Sequence, residues 1–158
     1  MQTLEIFLIQ LIMSIFVFIL LAKWAISPWL NEKAANIAMM ILVAPHAIRH
    51  IGLTFLIPSV TEPSLSQAFA FTTAWGDFVS AVLAIIVLFA LKHNIKAAIP
   101  LLWLFNIIGT IDLIMALSQA DVVSMLGGTW YIPTFFVPLL LVTHGMIFVR
   151  LFSNKGNK

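Results

Sequence analysis

Residues 68–91 read AFAFTTAWGDFVSAVLAIIVLFAL, an apolar run broken by one charge, Asp77. A hydrocarbon core of about 30 Å is crossed by about 20 helical residues, so this run is long enough to cross. Too few residues separate Asp77 from Leu91 for a crossing that begins after the aspartate, so the carboxylate has to lie inside the span. The run is continuous, whereas a barrel strand alternates apolar and polar positions. Without water to satisfy the backbone, such a run must close its own hydrogen bonds as a helix.

Four further runs have the same character, over about residues 4–22, 34–57, 97–117 and 131–150. The expected fold is therefore all-α: an integral membrane bundle of five transmembrane helices. It forms a single domain over residues 1–152, followed by a short flexible tail over 153–158. Lys23, Ser27 and Pro28 are expected to close the first span, Pro58 the second and Lys92-His93-Asn94 the third, with Gly127-Gly128 in the loop before the fifth. The first span has no preceding positive charge and no small-residue cleavage site, so it reads as a retained helix rather than a secretion signal.

Composition agrees. Of 158 residues, 62% are hydrophobic and 9% charged, against roughly 25% charged in soluble domains. Water-soluble globular and disordered classes are excluded. The absence of cysteine removes disulfide scaffolds, thiol catalysis, iron–sulfur clusters and cysteine-based zinc sites. The formal net charge of +2 is spread over loops without a basic patch, so nucleic acid is not an expected partner. No phosphate-binding loop, dinucleotide fingerprint, nucleophile elbow or kinase signature occurs.

Every lysine and arginine except Arg49 falls on one side of a five-span arrangement. Lys23 and Lys33 follow the first span, Lys92 and Lys96 the third, and Arg150, Lys155 and Lys158 the fifth. The opposite side carries Glu5, Glu62 and Asp121. This segregation predicts an outside N-terminus and a cytoplasmic C-terminus in an integral membrane protein, with a bacterial inner membrane as the expected location.

The residues that hydropathy would not place in lipid are His46, Arg49, His50, Asp77, Asn106, Asp112 and His144. On untilted helices, His46 and Asn106 fall within about 2 Å of the midplane. Arg49, His50, Asp77 and Asp112 fall about 4–8 Å toward the outside, and His144 about 5 Å toward the cytoplasm. With α-helical periodicity, His46, Arg49 and His50 share one face. Gly76, Ser80 and Ala84 form a small-residue stripe beside Asp77, and Asn106, Gly109, Asp112 and Ala116 form a similar arc. An isolated charge at a helix centre costs about 2.5–3.5 kcal/mol on insertion scales. The three charged faces are therefore expected to converge, with Arg49 offering its planar fork to Asp77, Asp112 or both.

Several functions fit such a cluster. The leading expectation is a site for a small lipophilic or metal-containing ligand, with acid–base chemistry as one use of it. His46 and His50, with Asp77 or Asp112, have ligand types suited to a transition metal. His144 paired with His46 or His50 across the bundle would suit a b-type haem. Proton or ion conduction is the competing class, and a scaffold whose buried charges only fix helix packing is the third. Membrane lipid is an expected partner, and either self-association or a partner membrane subunit would complete so small a bundle.

Overall fold

The computed structural model describes residues 2–153. Among them, five helices are long and apolar enough to cross a membrane: α1 (Thr3–Asn31), α2 (Ala35–Leu56), α3 (Gln67–Lys92), α4 (Ala98–Leu117) and α5 (Gly127–Ser153). No strand occurs among the described residues. Of the tail expected over 153–158, Ser153 closes α5 and the remainder lies outside the described residues.

Two expected ends are moved. Lys23, Ser27 and Pro28 do not close α1, which runs on to Asn31. A turn of π-helix over Ala22–Ile26 precedes Pro28, the kind of local widening that lets a proline sit within a continuous helix. Gly127 and Gly128 are not in a loop but open α5 as a 3₁₀ turn, and Pro133 lies in a second π turn over Ile132–Phe136. Gly127 has φ +51°. A Cβ there would also press on the Val60 carbonyl, whose oxygen accepts from Gly128 N at 2.6 Å.

Contacts near the helix ends mark the two ends of the bundle. At the basic end, Arg150 Nη2 donates to Asn31 Oδ1 (2.8 Å) and Asn36 Nδ2 donates to Asn94 Oδ1 (2.5 Å). At the opposite end, Trp130 Nε1 donates to Gln10 Oε1 (2.6 Å), and Glu62 N donates to the Met125 carbonyl (3.1 Å).

Two apolar clusters fill the interior. One, toward the basic end, contains Leu30, Leu42, Leu91, Leu102, Phe105 and Ile147. The other, toward the opposite end, contains Phe7, Phe55, Phe69, Ala74, Val122 and Ile132. The polar residues of α2, α3 and α4 lie between these clusters along each helix. The outward faces of all five helices carry exposed Ile, Leu, Val, Phe and Trp side chains, the surface that lipid contact requires. In α1 only Phe7 and Leu30 are buried among the described residues, so this helix is the most peripheral.

The decisive departure from regular geometry is in α2. Residues Ala35–Val43 are α-helical, but Ala44–Leu56 is a 3₁₀-helix of 13 residues. Runs beyond 3–4 residues are uncommon for this conformation, which has about 3.0 residues per turn. Pro45 stands at its start and supplies no N–H. The tighter period places His46, Arg49, Gly52 and Phe55 in one straight row, and these are its buried residues. His50 is turned out of that row and exposed, its Nδ1 3.0 Å from the Ala47 carbonyl. The expected common face of His46 and His50 presumed about 3.6 residues per turn, and that phase does not hold here.

Stability measurements read this phase. His50→Ala should change unfolding free energy by no more than about 0.5 kcal/mol. Gly52→Ala should cost about 1–3 kcal/mol, because a Cβ at Gly52 would overlap the Asp77 carboxylate. Thermal unfolding in detergent of the two variants checks both.

Candidate functional site

Arg49 is the hub. Its side chain is 1% exposed and reaches three acceptors on two neighbouring helices. Nε and Nη2 each lie 2.8 Å from Asp77 Oδ1 on α3. Nη2 also donates to Asp112 Oδ2 on α4 at 2.5 Å, and Nη1 donates to the Gly109 carbonyl at 3.2 Å. The expected convergence of charged side chains from α2, α3 and α4 is thus present. The guanidinium fork is what makes one cation serve two carboxylates and a backbone oxygen at once, which an ammonium group could not do with fixed geometry.

Glycines make room for these groups. A Cβ on Gly52 would overlap the Asp77 carboxylate, and one on Gly76 would overlap that of Asp112. A Cβ on Gly109 would stand 2.7 Å from His144 Nε2 and 3.1 Å from Arg49 Nη1. Each bulky polar group is therefore seated over a backbone surface, which lets the helices close around the charges.

A second polar layer adjoins the first on the side of the basic end. His46 and His144 are in direct ring contact, with centroids 4.0 Å apart, and Phe105 packs against both. Their hydrogen bonds assign the tautomers. Asn106 Nδ2 donates to the His144 carbonyl (3.2 Å), so Asn106 Oδ1 accepts from His144 Nδ1 (2.6 Å). The Thr143 hydroxyl donates to the Leu139 and Leu140 carbonyls (3.1 and 3.0 Å). Its oxygen therefore accepts from His46 Nε2 at 2.9 Å. Each ring is left with one nitrogen outside these bonds. His46 Nδ1 and His144 Nε2, together with Ser80 Oγ, are buried without a hydrogen-bond partner among the described residues.

Six of the seven sequence candidates thus meet: Arg49, Asp77 and Asp112 in one layer, His46, His144 and Asn106 in the next. His50 does not join them. The set His46, His50, Asp77 and Asp112 does not assemble as a metal site, and no group of three or more His, Asp or Glu able to hold a metal occurs among the described residues. His46 and His144 touch, so a macrocycle cannot lie between that pair. Thr143, Phe105 and Gly52 complete the site and were not singled out by the sequence. Gly52 would have emerged from a period of three counted from His46.

A narrow cavity of about 40 Å³ lies beside the carboxylates, toward the end opposite the basic loops. Asp77 and Asp112 form its polar floor, and Phe7, Phe55, Phe69 and Leu113 contribute to its apolar collar. Asp112 is the more open carboxylate, with its side chain 21% exposed against 9% for Asp77.

Removing the cation should be far worse than removing the whole ionic set. Arg49→Gln leaves one buried and one half-buried carboxylate without a counter-charge and should cost about 3–5 kcal/mol. Adding Asp77→Asn and Asp112→Asn to that variant should recover most of the loss, as measured by chemical unfolding in micelles.

No curated protein and no solved structure matches the chain. One family model does, described as Domain of unknown function (DUF8737), and it covers residues 6–152. That span takes in nearly the whole of the five-helix bundle with every polar residue of its interior, and the protein belongs to this family.

Proposed function

We propose that the protein handles protons within the membrane, taking them up and releasing them at the Arg49–Asp77–Asp112 centre. One observation carries the reading: a single guanidinium is shared by two carboxylates. With the imidazoles neutral, the centre holds one excess negative charge, which a proton would neutralise. A lone excess charge in a low-dielectric interior is costly, so a mobile positive partner is favoured there. The adjoining imidazoles add, in the next layer, two nitrogens without a hydrogen-bond partner among the described residues. Intramembrane carboxylates and histidines arranged in this way are the elements of proton relays.

The cavity supports the same reading by its size. At about 40 Å³ it has room for a few waters beside Asp112, and it is far below the several hundred Å³ of a typical organic-ligand pocket. With the lysine-rich loops cytoplasmic, as their segregation favours, the N-terminus lies outside and the cavity faces outward. A bacterial inner membrane is the setting we favour. Toward the cytoplasm, the cluster around Leu42, Leu91 and Leu102 closes the bundle. Passage across the whole membrane would therefore involve a second conformation or a second copy.

A second reading draws on the apolar collar above the carboxylates. The cavity would then seat the small polar head of a lipophilic ligand, with Asp112 accepting its hydrogen bond and the histidines available for acid–base work.

Proteoliposomes carrying an internal pH indicator and an imposed potential test the proton reading. Wild-type protein should acidify the lumen, and Asp112→Asn should reduce flux to that of protein-free vesicles. Wild-type flux no greater than in empty vesicles, or undiminished flux in Asp112→Asn, would overturn it.

A further inference from the structure

A cleft of about 830 Å³ lies between α1, the start of α2 and the last turns of α5, well away from the buried ionic centre. It falls in the size range of cavities that take organic ligands of substantial size. Its character changes along its length. Ile15, Ile19, Leu141 and Val142 line the part nearer the middle of the bundle. Lys23, Asn31 and Arg150 line the part at the basic end. From Leu141 to Ser153 the wall of α5 rises about 18 Å, a little more than half of a hydrocarbon core of about 30 Å. We propose that this cleft binds a single anionic phospholipid of the leaflet facing the basic loops, acyl chain along α1 and α5 and phosphate between Lys23 and Arg150.

Charge complementarity selects this occupant. Two cations line the mouth and no acidic residue lines the cleft among the described residues. Arg150 is held in place rather than free to sweep the interface. Its Nη2 donates to Asn31 Oδ1 (2.8 Å) and to the Ser27 carbonyl (3.5 Å). Nε and Nη1 make no hydrogen bond to the described residues and remain available for phosphate oxygens. Basic pockets between transmembrane helices are suited to lipid headgroups for this reason. A helix from a second copy fits less well, since it would bring its own Lys23, Lys33 and Arg150 to the same end.

Local backbone geometry also shapes the cleft. The π turn over Ala22–Ile26 borders it and contributes Ala22 and Lys23 to its wall. Such turns recur at functional sites because they re-aim side chains without ending the helix. Gly145 opens the opposite wall: a Cβ there would meet no heavy atom within 4 Å. That position offers a way to fill the cleft without disturbing the packed interior.

The test is lipid retention. Protein reconstituted with equimolar phosphatidylglycerol and phosphatidylcholine of matched chains is extracted and weighed by native mass spectrometry. Wild-type chains should retain one phosphatidylglycerol in preference to phosphatidylcholine. Lys23→Gln combined with Arg150→Gln should lower that preference roughly tenfold or more. Gly145→Leu should displace the lipid while the melting temperature stays within about 2 °C of wild type. Equal retention of the two lipids, full retention in Gly145→Leu, or a dimer in place of the lipid-bound monomer would overturn the proposal.

Discussion

One guanidinium holds the middle of this bundle together. Charges placed in lipid must either pay their own desolvation or find partners, and Arg49 supplies the partner for both aspartates from the neighbouring helices. The bond to the Gly109 carbonyl uses a third arm, so the arginine also ties backbone to side chains. Helix order follows from this demand. α2 has to lie against α3 and α4 at one depth, and the glycines at positions 52, 76 and 109 let it do so. The apolar clusters on either side then seal the charges from both ends.

The histidine pair is a different kind of polar structure. Its rings touch at a tilt of 50° and are braced by Phe105, Asn106 and Thr143. It leaves two ring nitrogens without partners among the described residues, where the arginine centre sets one cation against two carboxyl groups. An apolar pair at positions 46 and 144 would seal the bundle at least as well.

The parts of this architecture that could be read from the chain are those set by lipid. Five helices long and apolar enough to cross are legible because a bilayer demands about 20 apolar residues per crossing. The meeting of Arg49 with Asp77 and Asp112 was visible because isolated charges are expensive there. What could not be read was backbone geometry. His50 looks equivalent to His46 because nothing in the spacing, Pro45 included, announces a long 3₁₀ segment. His144, placed from spacing alone on the cytoplasmic side of the midplane, meets Asn106 and His46 on the side of the ionic centre nearer the basic loops.

The 3₁₀ segment of α2 has a consequence for how this region can vary. Its buried row recurs every third residue, at His46, Arg49, Gly52 and Phe55, while the positions between are half-buried or exposed. The stretch therefore obeys a triplet grammar inside a bundle written mostly in turns of about 3.6. Deleting three residues would preserve the alignment of what remains, whereas deleting four, harmless to the facing of an ordinary helix, would swing the arginine away from its acids.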